Sequence, residues 1–216
     1  NKGAIRIGGK DISAIWDHEF IGIWQEDEAE EAAKYGQQPG DAKVRDVNGD
    51  YKITQEDKVF LGQETPKFRW SFRNEFTLFR NWDISLNLYS QMGHKQSTTE
   101  YLNFFDNLGD YSNTYKREYW TPENKSNSYA RLKSTRPSNI NPKKVINKGF
   151  IRLENISVSY RVPQQFARKL MAKEISIYGT VRNVAVWAFD KEWDYWDPET
   201  KGLLPRTFTF GASITF

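Results

Sequence analysis

Cysteine is absent from the 216 residues, which excludes disulfides and thiolate metal centres. Histidine occurs twice, at His18 and His94, with no ligand spacing between them, so neither a histidine metal site nor a catalytic triad is supported. No run of about 18 apolar residues exists, which excludes a transmembrane helix. Neither charge dominates: 31 Lys and Arg face 28 Asp and Glu, for a net +3 that is scattered along the chain. So weak a basic excess argues against a nucleic-acid partner. No methionine or signal peptide precedes Asn1, and the chain reads as a fragment or a processed piece. Apolar excess is also lacking, with a mean hydropathy of −0.77. That value suits a soluble domain. It also suits a membrane barrel, which hides its apolar residues in alternation and carries long polar loops.

Aromatic residues are abundant at 15%, with 8 Trp, 11 Tyr and 14 Phe. Such a content fits interfacial girdles and sugar-stacking surfaces. The last eleven residues, 206–216, alternate strictly. Phe208, Phe210, Ala212, Ile214 and Phe216 share one face, and Thr207, Thr209, Gly211, Ser213 and Thr215 share the other. A strand of about 9–11 residues is what crosses a bilayer in a tilted barrel. Further strands are predicted over 66–79, 82–92, 150–162 and 174–188. The first two form a hairpin with a tight turn at Arg80-Asn81. Phe68, Trp70, Phe72, Phe76 and Leu78 lie on one face of its first strand, opposite Lys67, Arg69, Ser71, Arg73, Glu75 and Thr77. In 150–162, Ile151 and Leu153 have one parity and Ile156, Val158 and Tyr160 the other, which a β-bulge near Glu154-Asn155 reconciles.

The connections alternate in length: a long stretch up to 65, a short turn at 80–81, a long loop over 93–149, a medium one over 163–174 and a long loop over 190–205. Outer-membrane barrels have short periplasmic turns and long extracellular loops, and here every long segment falls on one side. Five strands are fewer than the roughly eight that close a membrane barrel. The fold class is therefore all-β: strands from one part of a large antiparallel transmembrane β-barrel, with long extracellular loops. Residues 1–65 read as an external region with one short surface helix over 26–35, and 66–216 as barrel strands. Residues 1–24 are either a loop hairpin or a further barrel strand.

An ordered series of segments carries a family resemblance. It includes Phe20-Ile-Gly-Ile-Trp-Gln25, Pro39-Gly-Asp41, Asp46-Val-Asn-Gly-Asp50, Tyr119-Trp-Thr-Pro-Glu-Asn124, Phe150-Ile-Arg-Leu-Glu-Asn-Ile156, Asp197-Pro-Glu199 and Pro205-Arg-Thr-Phe-Thr-Phe-Gly211. In this order they resemble the C-terminal end of SusC/RagA-type TonB-dependent outer-membrane transporters of Bacteroidetes. The resemblance implies the last strands of a barrel of about 22. It implies import of glycans or peptides with energy from TonB, and a SusD-like surface lipoprotein as partner. TonB would act through a plug region that this sequence does not contain. The spacing of Thr209, Gly211, Ile214 and Phe216 is similar to the insertion signal read by the barrel-assembly machinery, and outer-membrane lipid would surround the strands.

Residues 46–57 carry side-chain oxygens at positions 1, 3, 5, 9 and 12: Asp46, Asn48, Asp50, Thr54 and Asp57. Position 7, Lys52, would offer its carbonyl. That is the spacing of an EF-hand or dockerin loop and predicts a structural Ca²⁺. Tyr51 stands where the sharp turn usually takes Gly, and Asp57 is shorter than the usual Glu; the alternative is an Asx-rich turn without metal. Trp120, Trp193 and Trp196 either stack on a ligand or pack the loops against one another. The acids Glu192, Asp194 and Asp197 sit in an aromatic loop and read as packing, so the chain is not expected to be an enzyme. The competing functional reading is a soluble calcium-dependent, dockerin-like binding module, which would need two such loops where the sequence has one.

Overall fold

A computed structural model describes residues 12–98, 118–193 and 196–216. In chain order the strands are β1 (Ala14–His18), β2 (Phe20–Ile23), β3 (Ala42–Val44), β4 (Lys58–Gln63), β5 (Phe68–Leu78), β6 (Trp82–Met92), β7 (Lys95–Thr98), β8 (Lys144–Asn147), β9 (Phe150–Arg161), β10 (Glu174–Ala188) and β11 (Thr207–Thr215). Two short α-helices are α1 (Ala29–Lys34) and α2 (Gln164–Ala167). The chain divides into two compact units, residues 1–64 with 95–146, and residues 65–94 with 147–216.

The second unit is one five-stranded antiparallel sheet in the order β11-β10-β9-β6-β5. Its register realises the alternation. Phe68 lies opposite Met92, Phe72 opposite Leu88, Phe76 opposite Ile84 and Leu78 opposite Trp82. Across the next ladder Ile84 meets Val158 and Leu86 meets Ile156; the register then slips, so that Leu88 meets Leu153. Glu154 is the extra residue, and it returns Leu153 and Ile151 to the apolar side, as the parity change requires. On β10, Ile175, Gly179 and Val181 meet Ile214, Phe210 and Phe208 of β11. The opposite face is polar: Arg73 bonds Glu75, Arg161 bonds Asp83, and Ser157 bonds Thr180.

The β5–β6 turn differs from the expected Arg80-Asn81 pair. Leu78 pairs with Trp82, so Phe79, Arg80 and Asn81 all belong to the turn. Phe79 and Arg80 adopt left-handed backbone at φ 49° and 67°, a conformation whose usual marker, Gly, is missing here. Asn81 exchanges bonds with Arg161 at the end of β9, its Nδ2 donating to the carbonyl at 2.7 Å, and this ties the turn to the neighbouring strand.

The first unit is less regular. β1 pairs with β4 and β2 with β3, so residues 14–23 are not a further strand of the large sheet. The expected surface helix over 26–35 is a 3₁₀ turn, Glu26–Glu28, running into α1, and only Ala32 of α1 is buried. The core is Ile23, Ala42, Trp120 and Ala130, with Phe20 and Tyr129 against it. Residues 118–135, expected as external loop, thus share a core with residues 20–42. Buried Asp41 holds them: its carboxylate accepts from Arg131 Nε at 2.9 Å, Thr135 N at 2.9 Å and the Thr135 hydroxyl. Gly40, at φ 90°, lets the Trp120 ring approach so closely that a Cβ would sit 2.5 Å from it.

Candidate functional site

The apolar face of the large sheet is uncovered except at one end, where Ala167 and Ala172 pack on Ile175. Phe68, Phe72, Phe76, Ile177, Phe208 and Phe210 are all exposed, Phe210 to 80%. Each such side chain left in water forgoes about 1.5–3 kcal/mol relative to burial. One apolar face, one hydrogen-bonded polar face and no second layer among the described residues of this unit are what a barrel wall between lipid and an aqueous interior requires. At the end of the sheet nearest the β5–β6 turn, Trp82 packs on Tyr160 with centroids 4.7 Å apart, and Phe79 and Phe216 stand exposed. Aromatic belts of this kind mark membrane–water interfaces.

Strand β11 carries the residues that read as an insertion signal. Thr209 pairs with Thr180, Gly211 with Tyr178 and Ile214 with Ile175. Ile214 and Phe216 are exposed. Gly211 has a local reason in this fold: a Cβ there would lie 2.4 Å from Cζ of Tyr178. The glycine makes room for a tyrosine ring lying across it on the polar face.

At the opposite end, the β10–β11 connection is held to the wall by a buried ion pair that sequence reasoning missed. Arg152 of β9 donates from Nη2 to Asp197 Oδ2 at 2.5 Å. Asp197 Oδ1 accepts the N–H groups of Glu199 and Thr200, at 2.9 and 3.0 Å. Glu199 in turn accepts from the Tyr89 hydroxyl at 2.5 Å and from Gln91 Nε2 at 2.9 Å. Burial pushes the Asp197 carboxyl up, but the Thr200 N–H and the Arg152 guanidinium outweigh it and hold the group below the usual carboxylate range. Asp197 is therefore a structural anion rather than a proton donor; Asp194 lies outside the described residues. The only sequence signal for the pair was an Arg on the polar parity of β9 and an Asp-Pro-Glu turn.

The three candidate stacking residues separate. Trp193 and Trp196 line one open cleft of 630 Å³ with Val186, Phe189 and Leu204. Trp196 is 41% exposed, whereas Trp193 is half-buried and donates its Nε1 to the Asn147 carbonyl at 2.7 Å. Trp120 is corrected: it is buried in the core of the other unit and donates its Nε1 to Gln25 Oε1 at 3.0 Å, so its faces are taken by packing.

The dodecad forms a tight loop closed by its own side chains. Asp46 accepts from Gly49 N at 2.7 Å, Tyr51 N at 3.0 Å and the Tyr35 hydroxyl at 3.2 Å. Asn48 accepts from Asp50 N, and Asp50 from Lys52 N. Buried Asp57 receives Val47 N at 2.9 Å and Thr54 N at 2.7 Å. Tyr51 takes the left-handed turn at φ 60° without being Gly. Burial and the Asp46 carboxylate push the Tyr35 hydroxyl up to about 12. Ile53 is buried, and His18 of β1 donates Nε2–H to the Thr54 carbonyl at 2.5 Å. Among the described residues, no three His, Cys, Asp or Glu side chains gather into a metal-holding group. As they stand, the oxygens of the dodecad serve the loop backbone.

No protein-family model matches the chain. TonB-dependent receptor P26 of Formosa agariphila is 25% identical over 230 residues, taking in 97% of this chain and 23% of that protein. TonB-dependent receptor P3 of the same organism is 23% identical over 227 residues, with 96% and 22% covered. Among solved structures, the RagAB peptide importer in its open-open state superposes with a TM-score of 0.62 at 14% identity, over 100% of this chain and 24% of that one. The RagAB peptide transporter gives 0.62 at 16% identity over 94% and 22%. The chain thus spans about a quarter of the length of the curated relatives it matches. In sequence the chain is thus similar to part of TonB-dependent receptors, and in fold to part of the RagAB proteins, which agrees with a strand segment of a large antiparallel barrel.

Proposed function

We propose that this chain forms wall and outer loops of an outer-membrane transporter that imports glycans or peptides with a SusD-like surface lipoprotein, driven by TonB. The observation that carries this reading is the single-layer sheet with one uncovered apolar face and one hydrogen-bonded polar face. TonB would engage a plug region outside this chain. The RagAB proteins, which share the fold, are described as peptide importers, and this supports a peptide at least as well as a glycan. The β11 residues Thr209, Gly211, Ile214 and Phe216 would be read by the barrel-assembly machinery. The long loops would face outward, toward the lipoprotein. A soluble dockerin-like module is the weaker reading, because such a sheet would expose its phenylalanines to water.

The sidedness is tested by placing cysteines at S126C and K201C in the full-length transporter and labelling intact cells with a membrane-impermeant maleimide. Both should label without rupture of the outer membrane. Labelling only after rupture overturns the topology.

Calcium belongs to the same proposal as a structural ion. Ligation would require Asp46, Asn48 and Asp50 to turn their oxygens toward one point, with Thr54, Asp57 and the Lys52 carbonyl completing the set. The supporting features are the oxygen spacing and the left-handed turn at Gly49 and Tyr51.

A further inference from the structure

The connection between β9 and β10, residues 163–173, folds back onto the sheet and has two unlike sides. Its inner side is small: Ala167 and Ala172 are buried in a cluster with Ile175, and Val162 packs against it. Ile175 faces the same way as Ile214, its partner on β11. Val162 donates its N–H to the Ile175 carbonyl at 2.9 Å. The connection therefore docks on the apolar face of the wall and not on the polar one.

Its outer side combines large apolar groups with cations. Phe166, Leu170 and Met171 are exposed, to 49%, 65% and 87%. Arg168, Lys169 and Lys173 are exposed among them. Lys169 Nζ lies 5.7 Å from the centre of the Phe166 ring. Lys173 Nζ donates to the Phe216 carbonyl at 2.7 Å, which brings it to the rim of β11. Met171 ends the 3₁₀ turn Arg168–Leu170 in left-handed backbone at φ 56°. Water is a poor environment for three such apolar groups in six residues, and the core is a poor one for three cations. An interface between hydrocarbon and phosphate suits both. The depth agrees, since this end of the sheet carries the aromatic belt of Trp82, Tyr160 and Phe216. The segment is far too short to span a bilayer.

We infer that residues 163–173 are a lipid anchor lying in the membrane interface. Phe166, Leu170 and Met171 enter the acyl boundary, and Arg168, Lys169 and Lys173 bind phosphates of anionic phospholipid. The inference rests on reading the sheet as a barrel wall and adds to it a binding site for one lipid class. Continuity with the apolar face and the charge of the turn select the occupant. Residues 163–173 contain no acid, and Glu174 at the start of β10 leaves the local charge positive.

The test uses the full-length transporter in detergent, supplied with equal phosphatidylglycerol and phosphatidylcholine, and counts retained lipid by native mass spectrometry. Heat-modifiable migration on a gel first establishes that the barrel is folded. The wild type should prefer phosphatidylglycerol. Each cation removed in the series R168Q, K169Q and K173Q should weaken that preference about five-fold. R73Q, on the opposite face, should leave it unchanged. A folded triple variant that keeps the full preference overturns the anchor and leaves the wall reading intact. A wild-type protein that never migrates as a folded barrel overturns the wall reading, and the anchor with it.

Discussion

Arg152 and Asp197, 45 residues apart in sequence, form a buried ion pair whose side chains are 2% and 5% exposed. The pair fixes where the β10–β11 connection meets the polar face, and through Glu199 it extends to Tyr89 and Gln91 on β6. A buried pair of this kind adds little net stability over an apolar substitute, but breaking it strands a charge.

Asp197→Ala should therefore destabilise the barrel by about 3 kcal/mol, the low end for a broken buried pair, because Glu199 Oε2 stays 3.5 Å from Arg152 Nη2 while Nε is already unpartnered. Thermal unfolding of the detergent-solubilised transporter measures the loss. A double replacement, R152M with D197L, should recover most of it; a double variant as unstable as D197A would show that the connection is held by something else. The pH dependence follows from the lowered Asp197 carboxyl. A folded-state value below the unfolded one gives stability that is complete above the unfolded value and fades as pH falls through the folded one. Protease sensitivity of the connection should accordingly rise below about pH 4 in the wild type. The R152M/D197L variant should lack that rise.

Gly211 and Tyr178 make a second cross-strand prediction. A methyl group at 211 would collide with the Tyr178 ring, and overpacking of this sort costs about 1–3 kcal/mol. Gly211→Ala should lower the unfolding temperature, and adding Tyr178→Ser should restore it. If the double variant is no better than G211A alone, the glycine serves the insertion signal and not the ring.

Phe216 separates recognition from packing. It is 74% exposed in this chain, so Phe216→Ser removes little protein contact. The expected result is less folded barrel in the outer membrane, measured by heat-modifiable migration, with an unchanged unfolding temperature for the barrels that do form. Equal amounts of folded protein would leave Phe216 with no role in insertion.

The wall was legible because lipid and water impose a period of two, and a single parity slip was enough to locate the bulge at Glu154. The turn was misplaced by one residue because Phe79 and Arg80 adopt left-handed backbone without the Gly or Asn that would announce it. The first unit was not legible. Its core joins Ile23 and Ala42 to Trp120 and Ala130, and its anchor joins Asp41 to Arg131 and Thr135. These partners lie far apart in sequence, and no local pattern links them. The same ignorance made Trp120 resemble a stacking residue: an aromatic in a long polar stretch looks alike whether its ring meets a ligand or a distant alanine.

Trp120 consequently carries a stability prediction. Trp120→Ala should destabilise the first unit by about 3–5 kcal/mol and expose residues 118–135 to protease. Trp196→Ala should leave that stability unchanged, since its ring is exposed at the cleft. Protease resistance in W120A equal to the wild type would return Trp120 to the list of surface rings.

The loop over residues 46–57 supplies the last prediction, and its chemistry dictates which variants are informative. Asp46 accepts two backbone N–H groups and the Tyr35 hydroxyl, so Asp46→Ala would disturb the turn whether or not a metal binds. Asp46→Asn keeps an acceptor oxygen and removes the charge that a cation needs. Asp50 accepts from Lys52 N at 2.8 Å, and Asp50→Asn is the matching change at position 5. If the loop holds Ca²⁺, elemental analysis of the purified transporter should find about one equivalent beyond what the D46N/D50N variant retains. Chelation should then make the 46–57 segment of the wild type as protease-sensitive as that variant. Mg²⁺ should not substitute, because it demands a tight octahedron and surrenders its waters reluctantly. Equal, calcium-free preparations of wild type and variant, with the same resistance before and after chelation, would reduce the dodecad to a turn closed by its own aspartates.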